Sequence, residues 1–333
     1  MSSYAVKQLY CVLTEKCNLN CSFCIRGDKS DAFMDYDLFV KHLLPEHKNW
    51  NTIILTGGEP FLHKRFYAIL RQASLHFKNV VVATNGTVPV NIRILKSIGL
   101  ENVIFQISVD GNVDAHEAIR GQGNYKRTFD TIRTFDENKI NYCVSTVVNK
   151  ENYHTLLELV VELDKLKNLK YWKLFSMMPH GAGSLESCMT SKEWNMFVDE
   201  ILSFCPFKVV TQKLYDFDLY EKVIDDQVNL ITIKNCGSGN NKIYVYPDLE
   251  VFPCTCLKDF PMGNLRYKTI TGLIDNSTIR YDVKDESVCK HCKYVGFCNG
   301  GCPGMSLKIF KGFGYGDIRC SLVANHYHQF KCD

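Results

Sequence analysis

Six times in roughly the first 180 residues a short β-rich run is followed by a stretch with apolar residues three and four apart, and this alternation constrains the fold most. Candidate strands cover Gln8–Leu13, Thr52–Thr56, Val80–Thr84, Val103–Ser108, Asn141–Val148 and Tyr171–Phe175. Between them, sets such as Phe66, Ile69, Leu70 and Ala73, or Leu156, Leu159, Val160 and Leu163, mark helix faces. Successive β-α units predict an α/β fold of parallel strands joined by crossover helices. A closed barrel of this type needs eight units, and this chain shows six. Sites in such folds sit at the carboxyl ends of strands, which gives weight to Gly57–Pro60, Thr84–Gly86, Ser108–Gly111 and Asn149.

After about Ser176 the alternation stops. A loop over Met177–Ser184 leads to a helix near Ser191–Phe204, and from Cys236 onward the chain is rich in Cys, Gly and Pro with only short apolar runs. So little apolar material predicts a segment that relies on metal to fold. The expected organisation is a core barrel over 1–180, a linker and helix over 181–235, and a Cys-rich domain over 236–333.

With 39 basic against 36 acidic residues and no block of like charge, the chain has neither a nucleic-acid arm nor a patch for an anionic membrane. No apolar stretch approaches the roughly 18 residues of a spanning helix, and no secretory segment opens the chain, so a cytoplasmic protein is expected. In that setting 16 cysteines point to metal ligation rather than disulfides. Ten fall into ligand-like spacings: Cys17, Cys21 and Cys24 at the front, and Cys236, Cys254, Cys289, Cys292, Cys298, Cys302 and Cys320 at the rear. Cys11 and Cys143 lie in apolar strands and read as small buried hydrophobes.

The front spacing, C-x3-C-x2-C, suits three irons of a four-iron cluster with the fourth left open. Gly57-Gly58-Glu59-Pro60 follows directly on the apolar run Thr52–Thr56. Together the two motifs resemble the radical S-adenosylmethionine (SAM) enzymes, and the resemblance implies that the six units form that family's partial, TIM-like (β/α)6 barrel, open on one side. The resemblance implies that Cys17, Cys21 and Cys24 hold a [4Fe-4S] cluster whose open iron takes the amino and carboxylate groups of SAM. One-electron cleavage then yields a 5′-deoxyadenosyl radical that abstracts hydrogen from substrate. It further implies that Phe23 packs near the adenine, that Glu59 accepts from the SAM ammonium with Gly57 and Gly58 offering backbone, and that Pro60 opens the next helix. Ser108, Asp110, Arg120 and Asn149 match the remaining SAM contacts, Arg120 to the carboxylate and Asn149 to the ribose.

At the rear, Cys289-x2-Cys292-x5-Cys298-x3-Cys302-x17-Cys320, preceded by Cys236-Gly237 and Tyr246–Cys254, resembles the SPASM domain of radical SAM peptide maturases. By that resemblance Cys289, Cys292, Cys298 and Cys320 hold one auxiliary iron-sulfur cluster, and Cys236, Cys254 and Cys302 belong to another. The pattern's extra cysteine is missing from Leu230–Asn235, leaving an open iron or recruitment of Cys256, Cys205 or a non-cysteine ligand as alternatives. A zinc ribbon is the competing account of the rear spacing. Cys188 and Cys256 are candidate hydrogen donors to a substrate radical.

The resemblance implies an enzyme acting on a peptide or protein, most readily by cross-linking a ribosomally made peptide. Epimerisation and sulfatase (formylglycine) maturation are the alternatives, and a non-catalytic iron-sulfur or zinc module is the reading from another class. Thr255 stands where sulfatase maturases carry an aspartate base, which weakens that alternative. Expected partners are a peptide and a flavodoxin- or ferredoxin-type reductant; with only sixteen residues before Cys17, a leader is expected to need a separate binding protein or the barrel itself.

Overall fold

A computed structural model describes residues 7–27, 29–215 and 237–330. All six expected strands are present: β1 (Gln8–Thr14), β2 (Thr52–Gly57), β3 (Asn79–Thr84), β4 (Val103–Ser108), β5 (Tyr142–Val148) and β6 (Leu169–Ser176). They lie side by side in chain order, each parallel to the next, as a run of β-α units requires. The period-two alternation sorts their side chains into two sets. Leu9, Cys11 and Leu13 of β1, Ile53 and Leu55 of β2, and Trp172 and Leu174 of β6 are buried in one core against the crossover helices.

The helices close that core with the faces their periodicity predicts. Phe66–His76 buries Phe66, Ile69, Leu70 and Ala73, and Leu156–Asp164 buries Leu156, Leu159, Val160 and Leu163. Ser191–Phe204 starts on a capping box between Thr190 and Glu193, then buries Trp194, Phe197, Val198 and Ile201. Trp172 is fully buried and donates its indole N–H to Thr146 Oγ1 at 2.8 Å, so the ring's only polar atom is satisfied. The segment before β2 is irregular: one helical turn at Tyr36–Leu38 widens over Phe39–Leu43 and tightens over Leu44–Lys48, where Pro45 lacks the N–H that a regular helix would use.

The sheet does not end with six strands. A short β7 (Val209–Val210) continues it beyond β6, while β8 (Lys242–Val245), β9 (Glu250–Phe252) and β10 (Gly263–Asn264) extend it from β1. β8 runs parallel to β1, pairing Gln8 with Lys242 and Tyr10 with Tyr244, and β9 and β10 follow antiparallel. This corrects the expectation that the rear has little core. Ile243, Val245, Leu249, Val251, Leu265, Ile270 and Leu273 are buried in the same apolar body as the barrel strands. Short runs looked insufficient because each was read alone, whereas their partner surface is supplied by β1. The described chain ends in the helix Ser321–Phe330.

Candidate active site and metal centres

The front cysteines follow β1, and their loop is fastened to the turn after β2. Gly58 N–H donates to Thr14 O at 2.7 Å and Glu59 N–H to Lys16 O at 2.8 Å. A β-carbon at Gly58 would stand 2.1 Å from Lys16 O, and one at Gly57 2.4 Å from Thr14 O, so only glycines allow this approach. Glu59 then turns inward and is fully buried. Its Oε1 accepts from Phe61 N–H at 3.1 Å and Thr84 Oγ1 at 2.8 Å, and its Oε2 from Asn85 N–H at 2.8 Å. Burial pushes its carboxyl up to about 7 against these donors. Much of its acceptor capacity is therefore spent on protein, and Glu59 ties the ends of β2 and β3 together. Pro60 opens a single helical turn, Pro60–Leu62, capped by that same carboxylate.

The three thiols share one small region. Burial raises both Cys17 and Cys21, and both feel the charge of Cys24. Cys17 Sγ accepts from Leu19 N–H at 3.4 Å and faces Asn85 Nδ2 at 3.9 Å, while Arg120 Nη1 is 3.9 Å from Cys21 Sγ. Among the described residues no three thiols, imidazoles or carboxylates converge on one point as a single ion would need. A four-iron cube takes each thiolate on a different iron and does not ask them to.

Behind Cys21 stands a buried polar network. Arg120 Nε donates to Asp110 Oδ2 at 2.5 Å, and Asp110 Oδ1 accepts from Val147 N–H at 2.9 Å. The edge of Arg120 expected to meet SAM is thus partly committed to Asp110, leaving Nη1 directed at the cluster loop. His116 Nδ1 accepts from Asp110 N–H at 3.3 Å, and burial beside Arg120 pushes this imidazole down to about 3, so it is neutral. Asn149 Oδ1 accepts from Glu151 and Asn152 N–H, and its Nδ2 faces Met177 Sδ at 3.6 Å. Its carbonyl end shapes the turn after β5; its amide end is the part turned toward the site. Ser108 is half-buried at the end of β4. Phe23, Ile119, Met177 and Cys188 form a buried apolar cluster with Cys21 packed against it. Cys188 Sγ donates to Ser184 O at 3.3 Å, and burial pushes its thiol up to about 11.

At the rear, Cys289, Cys292, Cys298 and Cys320 line one cavity, walled by Val295 and Val323. Cys302, four residues after Cys298, stands apart from that cavity's thiols. A β-carbon on Gly304 would meet Cys256 Cβ at 3.0 Å, His180 Nε2 at 3.5 Å and Cys302 Sγ at 3.7 Å, which places Cys302 beside Cys256. Cys256 N–H donates to Cys254 Sγ at 3.4 Å, and hydrogen bonding from Cys256 lowers the Cys254 thiol. The thiols so divide into a group of four and a group around Cys254, Cys256 and Cys302. Cys236 lies outside the described residues. Cys205 closes the helix Ser191–Phe204, where it packs against the main core.

Several residues of this arrangement escaped sequence reasoning. Asp317 is fully buried and gathers Arg319 Nη2 at 2.7 Å, Tyr215 Oη at 2.6 Å and Cys302 N–H at 3.3 Å. Burial pushes its carboxyl up, but the Arg319 charge and these donors outweigh that and hold it below its usual value. The available signal was an acid-x-base triplet directly before Cys320. His180 Nε2 bonds Gly304 O at 2.9 Å while Ala182 N–H donates to Cys24 O at 3.0 Å, so the loop after β6 touches both centres. No spacing announces that role.

A protein of Bacillus subtilis, the sporulation killing factor maturation protein SkfB, is 32% identical over 302 residues, spanning 85% of this chain and 68% of SkfB. The Radical SAM superfamily model matches residues 11–163. The chain belongs to the radical SAM superfamily. An AdoMet-dependent heme synthase of Methanosarcina barkeri is 25% identical over 315 residues, 86% of this chain and 88% of that protein. In structure the chain resembles Streptococcus suis SuiB bound to its precursor peptide SuiA, with a TM-score of 0.78 at 15% identity over 95% of this chain and 75% of that one. It is thus a radical SAM enzyme of the group that holds peptide maturases and haem synthases. The residues fit the cofactors this family uses. The half-buried front triplet, with an amide and a guanidinium directed at its sulfurs, suits an anionic cluster, and four thiols around one rear cavity suit a second.

Proposed function

We propose that the chain modifies a ribosomally made peptide by radical chemistry, with side-chain cross-linking as the first reading. The observation that carries it is the joining of two thiol centres in one sheet-bound body: β8, which leads into the rear thiols, pairs with β1, which ends in the front triplet. The 32% identity to a peptide maturation protein supports the substrate class. When bound, SAM and the front cluster supply one-electron cleavage to a 5′-deoxyadenosyl radical. The chain's own residues do the rest. Glu59 and the two glycines hold the cluster loop on the barrel rim. Asp110 fixes Arg120, so a cationic Nη1 stands beside Cys21 without rotamer search. Phe23, Ile119 and Met177 wall the region with apolar surface and exclude water.

Cys188 keeps its proton at neutral pH because burial raises the thiol. An S–H bond, unlike a thiolate, can give a hydrogen atom, and Cys188 is the better placed of the two candidate donors. Cys256 sits among the rear thiols and reads as part of that set, with Cys289, Cys292, Cys298 and Cys320 as the fully cysteine-ligated auxiliary site. Thr255 is nearly buried with its hydroxyl 3.3 Å from Tyr246 Oη, which offers no base for formylglycine formation. A flavodoxin or ferredoxin is the proposed reductant. Residues 1–180, 181–235 and 236–333 remain the proposed division, with the reservation that the last shares the barrel's sheet.

The test is anaerobic reconstitution with iron and sulfide, then SAM and dithionite, with 5′-deoxyadenosine read by chromatography. Co-expression with a short cysteine-rich or repeat-bearing peptide encoded beside the gene is expected to remove two hydrogens per bond formed. Deuterium uptake from solvent without mass loss would instead mark epimerisation. No 5′-deoxyadenosine after full cluster loading would sink the enzymatic reading. A porphyrin altered in place of a peptide would move the chain toward its haem synthase relative.

A further inference from the structure

The turn after β3 holds one amide by every polar atom it has. Asn85 and Thr87 are both buried. Thr87 N–H donates to Asn85 Oδ1 at 2.8 Å, and because a backbone N–H can only donate, this bond fixes which end of the amide is oxygen. Three side chains then close a ring that runs in one sense. Asn85 Nδ2 donates to Asn18 Oδ1 at 3.0 Å, Asn18 Nδ2 to Thr87 Oγ1 at 2.8 Å, and Thr87 Oγ1 back to Asn85 Oδ1 at 2.7 Å. The backbone of Asn85 is held as well, its N–H on Glu59 Oε2 at 2.8 Å and its carbonyl accepting from Thr128 Oγ1 at 2.9 Å. Each bond of such a ring polarises the next, so no member turns alone.

An amide nitrogen carries two N–H groups, and the ring uses one of them. The other is left for Cys17 Sγ, 3.9 Å away, within the longer reach of a sulfur acceptor. The same sulfur already accepts from Leu19 N–H at 3.4 Å. A thiolate-held cluster puts negative charge on its sulfurs when it takes up an electron, so a fixed donor there stabilises the reduced state more than the oxidised one. Arg120 at Cys21 is a donor of another kind, charged and shared with Asp110. Asn85 is neutral, and the ring leaves it a single orientation.

We propose that Asn85, oriented by Asn18 and Thr87, raises the reduction potential of the front cluster through Cys17. It is a positioning residue, since it touches a ligand sulfur and neither SAM nor substrate. The step it serves is the uptake of one electron before SAM is cleaved, so the role holds whatever the substrate is and rests on the family alone.

The test uses the full chain, reconstituted anaerobically, and follows a redox titration of the front cluster by electron paramagnetic resonance. The change that SAM causes tells its signal from that of any rear cluster. Asn85→Ala removes the donor without adding charge and is expected to shift the one-electron equilibrium about tenfold against reduction, a fall of about 59 mV. Thr87→Val keeps the shape and the backbone N–H that orients Asn85 but breaks the ring, and is expected to shift it about threefold, roughly 28 mV by the same constant. The reduced unaltered enzyme is expected to show a proton coupling that exchanges in D2O and is absent from Asn85→Ala. An unchanged potential in Asn85→Ala with front iron in place overturns the assignment. A fall with every exchangeable coupling intact overturns it too, because a role in shape alone would do that. If Asn85→Ala loses its front iron, Thr87→Val decides, the expected fall sustaining the assignment and no fall overturning it.

Discussion

The front loop and the rear segment both gather thiols, but the first is held by a barrel and the second by turns. Around Cys17, Cys21 and Cys24 the supports are strand ends: Gly58 and Glu59 after β2, Asn85 after β3, and Asp110 after β4 with Arg120 bonded to it. Each is anchored in a sheet whose core is apolar and continuous, so the site is shaped before any metal arrives. At the rear, Cys289, Cys292 and Cys298 stand on single turns, and the chain reverses through Asn299, Gly300 and Gly301, all with positive φ. Burial, then the neighbouring Cys320 and Cys289, push the Cys298 thiol up to about 12. Crowded thiols of this kind resist ionisation until a cation compensates them, so this geometry leans on metal and on the Asp317 knot. The contrast teaches that two groups of thiols in one chain need not depend on a metal equally.

The largest expected effect that would break this contrast is on activity. Cys21→Ala should lower 5′-deoxyadenosine formation by about 10³-fold or more, a loss of roughly 4 kcal/mol of barrier lowering, while circular dichroism and thermal unfolding stay close to the parent. Cys298→Ala should do the reverse to the fold, lowering the melting temperature and opening residues 289–320 to protease. If the two variants unfold alike, the distinction fails. Next in size, Asp317→Asn strands the buried Arg319 guanidinium and should cost about 3–5 kcal/mol, read by hydrogen exchange confined to the rear. Retention of front iron in that variant would sharpen the separation.

Gly58→Ala should be worse for the front than its size suggests. The added methyl meets Lys16 O at 2.1 Å, so backbone must move, at about 2–4 kcal/mol, with front iron content falling and rear iron content unchanged. The smallest effect tests the seam between the two regions. Glu46 is buried, accepts from Ile270 N–H at 3.0 Å through Oε1, and has an unpartnered Oε2. Burial raises its carboxyl above the ordinary 4.5. A raised carboxyl contributes its full stability below the ordinary value and loses it as pH climbs through the folded one. Glu46→Gln keeps the acceptor for Ile270 and removes the charge, so it should gain about 1 kcal/mol at pH 8 and nothing at pH 4 in paired melting curves. A gain that is the same at both pH values would show that Oε2 carries no buried charge.

The six strands and the helices Phe66–His76, Leu156–Asp164 and Ser191–Phe204 were legible in the chain because periodicity is a local signal, and a covered parallel sheet writes it strongly. That Cys289, Cys292, Cys298 and Cys320 would be neighbours was suggested by their spacing, since most of them lie within a few turns of backbone, and the four line one cavity. Roles within the site were less legible. Glu59 and Arg120 were expected to face SAM; within the protein one is bonded to Thr84 and Asn85 and the other to Asp110, partners 25, 26 and 10 residues away in sequence. The extension of the sheet through β8 was invisible because a four-residue strand carries no pattern of its own and owes its place to β1.

By itself the order of residues determined the alternation of elements, the grouping of cysteines into a front and a rear set, and the glycines that a tight turn after β2 demands. These follow from steric and hydrophobic rules that act over a few residues. Only the tertiary structure decided which thiols share a cavity and that Asp317 and His180 join the rear, because burial and charge pairing depend on what distant segments bring to the same place.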